Sequence, residues 1–183
     1  MDWKNLPTIN TDRVRLRWMS DADIDALYTI FSNPEVMRYW SSPPIPDRNA
    51  AALILKGVHD GFHNRTQLKW GLAKRADDAL IGTVTLFNLS FDNRRAEMGY
   101  ALGRAHWGNG YMHEALQGLL HYAFEVLDLH RLEADVDPRN GASIRTLERL
   151  GFQREGYLRE RWQVDGEIQD ALFYGLLRPD WKR

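Results

Sequence analysis

The segment Trp107, Gly108, Asn109, Gly110, Tyr111, Met112 sets two glycines one residue apart directly before an amphipathic helical pattern. A Gly-x-Gly turn at a helix N-terminus presents free backbone N–H groups and the positive end of the helix dipole, which is anion-binding geometry. An ordinary strand-to-helix turn that needs positive φ uses the same residues, so the surroundings must decide. A dinucleotide site is the obvious competitor, because the next strand ends in Asp135 and Asp137, where a ribose-binding carboxylate is expected. Its third glycine is His113 here, and helices with antiparallel strands precede the turn, whereas a dinucleotide domain opens with it. A Walker loop needs Gly-Lys-Ser/Thr, which the chain lacks. What survives is a phosphate site for another nucleotide-containing ligand. His59 and His63 have metal-like spacing, but Gly61 lies between them and no third ligand is evident, so a surface helix without metal is expected. His113 and His121 fall on the polar face of the long helix.

The elements that must position this turn are legible from periodicity. Residues 14–18 (VRLRW) read as a short edge strand, and Ser20 caps a helix whose apolar stripe is Ile24, Leu27, Tyr28 and Phe31. The prolines of VMRYWSSPPIP predict a loop, and the spacing of Ala51, Ile54, Leu55 and Val58 predicts a helix over 47–63. The pattern then changes to period two: QLKWGLAKR, LIGTVTLFNLS and AEMGYALG, separated by turns, form an antiparallel meander. The third run feeds the glycine turn and a helix over about 109–127. A strand HRLEADVD, a short helix stopped at Gly151, and two strands joined at Asp165-Gly166 complete the chain. The fold class is α+β, with a mixed, mainly antiparallel sheet and helices.

Length and composition agree with one domain over residues 1–183, at 44% hydrophobic and 27% charged content. The start MDWKNLPTIN is too polar for a secretory signal and no segment is an apolar membrane span, so a cytoplasmic protein without membrane contact is expected. A net charge of -1 gives no general attraction to nucleic acid. The absence of cysteine removes disulfides, thiolate metal sites and any cysteine nucleophile.

The stretch AEMGYALGRAHWGNGYMHEALQGLLHYAFEVLDLHRLEADVDPRNGASIRTLERLGFQREG resembles the core of a GNAT-superfamily N-acyltransferase, most closely its ribosomal-protein N-terminal acetyltransferase (RimJ/RimL-type) branch. TDRVRLRWMSDADIDAL and NPEVMRYW extend the resemblance over nearly the whole chain. It implies acetyl-CoA as co-substrate, with its pyrophosphate on the backbone of residues 107–112, and a splayed sheet. In that sheet the strand carrying Tyr100 and Leu102 separates from HRLEADVD to admit the pantetheine arm. Asn140 and Ser143 match the branch's Asn-x-x-Ser, the asparagine on the cofactor arm and the serine near its sulfur. Two positions depart from the superfamily pattern: Ala105 stands where Gln or Arg opens the phosphate loop, with Arg104 beside it, and Leu147 stands where a tyrosine protonates the departing thiolate. Ser143 is then the nearest proton donor, or a helix cap, or both.

Acetyl transfer to nitrogen needs a neutral amine, donors for the oxyanion and a proton for the thiolate. Glu97, beside the implied acyl site, is the candidate base. Strict alternation puts it with Gly99 and Ala101, opposite Met98, Tyr100 and Leu102, unless a bulge near Gly99 re-aims it. Glu160 ranks second, because the matching late-strand position is Trp162. Tyr39, Trp40 and Trp162 would wall the acceptor pocket. An α-amine with pKa about 8 is already neutral for roughly a tenth of molecules at pH 7, a lysine amine for only about one in a few thousand. A protein without a strongly marked base therefore suits an N-terminal α-amine of a protein or peptide. A small amine (aminoacyl nucleotide, polyamine or antibiotic) and a silent CoA-binding sensor are the alternatives, in a monomer or homodimer.

Overall fold

Period-two alternation folds as expected and dominates the architecture, which a computed structural model describes for residues 3–182. Strands β1 (Ile9–Asn10) and β2 (Val14–Arg17) open the chain, followed by helices α1 (Ile24–Phe31), α2 (Pro34–Met37) and α3 (Arg48–His63). The meander is β3 (Gln67–Lys74), β4 (Leu80–Ser90) and β5 (Arg95–Leu102). Helix α4 (Tyr111–His121), β6 (Arg131–Val136), α5 (Gly141–Arg149), β7 (Gln153–Val164) and β8 (Glu167–Leu177) complete it. The eight strands among the described residues form one sheet in the order β1-β2-β3-β4-β5-β6-β8-β7, parallel between β5 and β6 and antiparallel at their other pairings.

The two faces of the sheet carry separate apolar clusters. Leu68, Trp70, Val84, Leu86, Met98 and Leu132 pack against Leu116, Leu119 and Leu120 of α4 and Leu147 of α5. Ala101, pointing the other way by alternation, joins Leu27, Ile30 and Phe31 of α1 and Leu55 and Val58 of α3. Helices thus cover both sides, and β5 has one face toward each cluster. No helix among the described residues is long and apolar enough to cross a membrane.

Four local expectations need correction. Strand β2 is not the edge: Ile9 pairs with Leu16, so the two-residue β1, too short for a periodic signal, lies outside it. The loop after α1 contains α2, because Pro34 fits the first helical position and the Asn33 side chain accepts the N–H groups of Glu35 and Val36. The long helix starts at Tyr111 and changes at Tyr122 to a π turn over Tyr122–Val126, closed by the Leu127 N–H on the Tyr122 carbonyl at 3.0 Å. The bulge lies between Phe87 and Ser90 on β4, while β4 and β5 pair without a break from Gly82↔Leu102 to Phe87↔Glu97.

The start of α1 also differs from a simple serine cap. A 3-10 turn (Asp21–Asp23) precedes it, and the buried Asp23 carboxylate accepts the Ser20 N–H at 2.9 Å and both Arg17 Nη atoms at 2.8 and 2.9 Å. Burial opposes ionisation of Asp23, but Arg17 and the Ser20 N–H outweigh it and hold the carboxyl below its usual range. A depressed carboxyl pKa contributes stability that is present above the unfolded value, near 4, and is lost as pH falls through the folded value. Asp23→Asn is therefore expected to lower unfolding stability by about 2 kcal/mol at pH 7, with a smaller difference from the parent at pH 3, read by urea unfolding.

Candidate active site

Strand pairing opens a gap in the middle of the sheet. Strands β5 and β6 pair at Arg95↔Arg131, Ala96↔Leu132 and Glu97↔Glu133 and then part, although β5 runs on to Leu102 and β6 to Val136. Backbone groups of residues 98–102 and 134–136 that face the gap have no strand partner across it, so an amide-bearing chain laid there finds hydrogen-bonding groups ready. The closed end is latched by Glu133, which accepts Arg95 Nη1 at 2.8 Å and Arg131 Nε at 2.7 Å.

Helix α4 starts at the open end. Gly108 and Gly110 have φ of 77° and 75°, the left-handed region that favours glycine, and Gly110 caps the helix without any side-chain bond. The first N–H groups of α4 are consequently left to an external acceptor. Distant residues brace the loop. Arg13, on the turn before β2, donates from Nη1 to the Asn109 carbonyl at 2.9 Å and from Nε to Glu114 Oε2 at 2.7 Å, while Thr11 donates to Glu114 Oε1 at 2.6 Å. The Asn109 side chain turns back onto the carbonyls of His106 and Trp107, and Trp107 Nε1 donates to the Leu102 carbonyl at 2.7 Å. Arg104, beside the departing Ala105, pairs with Glu35 of α2 at 2.9 Å and lies over the Trp107 ring.

Helix α5 supplies the other wall. The cap is Asn140, whose Oδ1 accepts the Ser143 N–H at 3.1 Å, so Ser143 is not the cap and its hydroxyl is free for other work. That hydroxyl lies 2.6 Å from the Tyr100 hydroxyl, across the gap. Burial pushes the Tyr100 hydroxyl up to about 12, with the Ser143 hydrogen bond acting the other way, so it stays protonated as a donor at neutral pH. Leu147 is buried in the core.

One cleft of about 690 Å³ joins these parts, lined among others by Tyr39, Trp40, Tyr100, Leu102, Trp107, Gly108, Gly110, Tyr111, Met112, Asn140 and Ser143. It passes from the α4–α5 side to α2, where Trp40 packs edge-on against Phe31. Glu97 is half-buried on β5 and is not part of the cleft lining. Without a bulge at Gly99 it follows strict alternation onto the α1–α3 face, at the closed end of the gap, where it makes no hydrogen bond or ion pair among the described residues. Glu133 is engaged as above and Asp135 has Arg161 Nε at 3.4 Å, so Glu97 is the unengaged carboxylate of the three on this face of the gap.

Two expected residues lie elsewhere. Trp162 is on the edge strand β7, paired with Gln169 near the hairpin tip and stacked under Arg161, because the irregular register between Leu158 and Trp162 carries it away from the cleft. Glu160, within that irregularity at φ 52°, has its N–H on Asp170 and its neighbours on the same exposed strand. His59 stacks on Trp18 and bonds the Met19 carbonyl at 2.9 Å. Sequence reasoning missed Arg13, the Tyr100–Ser143 pair, and Arg145 and Arg149, which line the cleft from α5 without an ion pair among the described residues. The i,i+4 spacing of the two arginines was the available signal.

Comparison with known proteins fits this geometry. Residues 13–153 match the Acetyltransferase (GNAT) domain family. An uncharacterized N-acetyltransferase, p20, of Bacillus licheniformis is 36% identical over 96% of this chain and 99% of its own length. The ribosomal protein uS5-alanine N-acetyltransferase of Escherichia coli K12 is 28% identical over 97% of this chain and 95% of its own. In fold, spermidine N-acetyltransferase from Vibrio cholerae, solved with CoA and spermine, matches with a TM-score of 0.80 over 91% of this chain and 96% of that one, at 23% identity. A GNAT match over most of the length, a relative this similar along nearly the whole chain, and a sheet that splays beside an uncapped helix start agree: the chain belongs to the GNAT family of N-acetyltransferases.

Proposed function

We propose that this N-acetyltransferase moves the acetyl group of acetyl-CoA to the α-amine at the N-terminus of a protein or peptide, within one domain spanning the chain. The observation that carries the reading is the junction, in one cleft, of the uncapped α4 N-terminus with the β5–β6 gap, whose closed end bears an unengaged carboxylate outside the cleft lining. The residues fit acetyl-CoA. Backbone N–H groups around Gly108, Gly110, Tyr111 and Met112 would hold its pyrophosphate, and Arg145 and Arg149 add positive charge beside it. Its pantetheine arm suits the unpaired backbone around Tyr100 and Leu102, with Asn140 Nδ2 left free by the cap. Bound there, it supplies an activated acetyl group.

Glu97 takes the proton of the amine, directly or through water, and Ser143 donates to the departing sulfur with Tyr100 behind it. Tyr39 and Trp40 wall the acceptor side. Arg38, Arg145 and Arg149 in the cleft wall disfavour a polycation, which supports an N-terminal acceptor like that named for the Escherichia coli relative over a polyamine like that named for the Vibrio cholerae neighbour.

Thiol release from acetyl-CoA tests this without background from the cysteine-free chain. Peptides with a free N-terminus are expected to outpace N-blocked, lysine-bearing peptides and spermidine; preference for spermidine would replace the reading with a small-amine one. On the best acceptor, Ser143→Ala and Tyr100→Phe should each lower kcat by roughly tenfold, since a thiolate needs its proton less urgently than a strongly basic leaving group. The double variant should lose little more than either single, as expected of two hydroxyls acting as a unit.

A further inference from the structure

Lys69 of β3 is half-buried, and its ammonium makes no hydrogen bond or ion pair among the described residues; its one neighbour of note is the Phe31 ring, 5.4 Å from Nζ to the centroid. Register places it on the acceptor side. Lys69 pairs with Thr85, and Thr85 pairs with Gly99, so the three share one face, the face of Glu97. Thr83, one pair further along that face, is wholly buried with an unsatisfied hydroxyl. Phe31 in turn packs against Trp40, which lines the cleft. A polar stripe of an ammonium and two threonines therefore lies beside the acceptor end of the cleft, where the fold alone would be served better by apolar groups.

Drawing a charge partly out of water without a partner is costly, and a methionine of similar length would avoid the cost. Burial lowers Lys69 to about 8, which still leaves most molecules charged at pH 7. Lys69 and Glu97 stand two strands apart, roughly 10 Å across the sheet and roughly 7 Å along it at the backbone. That backbone separation is of the order needed for an amine at one residue and an anion about one residue away at the other.

We infer that Lys69 selects the acceptor: its ammonium pairs with a carboxylate that the acceptor carries about one residue from the amine received at Glu97. The inference rests on the acetyltransferase reading above. The carboxylate has two sources, the α-carboxylate of a free amino acid or an acidic side chain at the first or second residue of a peptide.

Two matched pairs separate them: alanine against alaninamide, and an amidated peptide beginning Ala-Asp against one beginning Ala-Asn, with spermidine as the cationic comparison. The parent should favour the acidic member of one pair by about ten- to a hundredfold in kcat/KM, and that pair names the source. Lys69→Met should abolish the preference by lowering kcat/KM for the acidic member, while the ligand-free protein melts no lower than the parent. Equal use of both members by the parent, an equal fall for both in Lys69→Met, or a preference for spermidine would overturn the proposal. Stabilisation by acetyl-CoA is measured alongside; its absence in the parent would instead remove the acetyltransferase reading beneath.

Discussion

Gly110→Val should abolish the stabilisation that acetyl-CoA gives the parent, which at about a thousand times its dissociation constant amounts to roughly 4 kcal/mol. Gly108 and Gly110 have φ of 77° and 75°, and this left-handed pair turns successive N–H groups toward one point in front of α4. A β-branched residue at such a φ is a genuine outlier, so valine forces the loop into another path and the amides diverge. At Gly110 the added carbon would also meet Arg13 Nη2 at 3.4 Å, disturbing the guanidinium that braces the Asn109 carbonyl. Gly108→Val acts through the backbone alone, because a Cβ there meets nothing within 4 Å. Gly166, at φ 84° in the β7–β8 turn and equally open, is the control: Gly166→Val should lower stability by a similar amount and keep the acetyl-CoA shift. Unchanged acetyl-CoA affinity in both loop variants would show that the glycines only make a turn.

Glu97→Gln should lower kcat on an N-terminal amine by about ten- to a thousandfold at pH 7, and the loss should shrink as pH approaches the amine's own pKa near 8. The amide keeps the shape of the carboxylate and removes its ability to accept a proton. Above the pKa of the amine most acceptor molecules arrive neutral, so the base is needed less. A carboxylate that only positioned the acceptor would instead show a raised KM with no recovery at high pH. Glu133→Gln offers the contrast, since Glu133 is held by Arg95 and Arg131 at the closed end of the gap; its loss should appear mainly as lower stability.

Local signals in the sequence located most elements and the likeness to the family. Alternation found β3, β4 and β5, the glycines marked the start of α4, and Asp165-Gly166 marked the final hairpin, because each depends on conformational preferences within a few residues. Where two signals overlap the sequence leaves the choice open: Ser143 and Asn140 are both good caps, and only the observed bond from the Ser143 N–H to Asn140 Oδ1 separates them. Trp162 and Glu160 were placed by position along a strand, but an irregular register at the edge of the sheet, which alternation does not reveal, points them away from the cleft.

By itself the sequence determined the fold class, the family and the left-handed glycines before α4, since all three are written in short-range pattern. The tertiary structure decided where the sheet splays, which carboxylate remains unengaged, and which hydroxyls meet. Tyr100 and Ser143 are 43 residues apart, Thr11 and Glu114 are 103 apart, and Lys69 and Glu97 share one face of the sheet two strands apart. Such meetings follow from strand order and register, which balance packing over the whole sheet, and a one-residue slip would send each side chain to the opposite face.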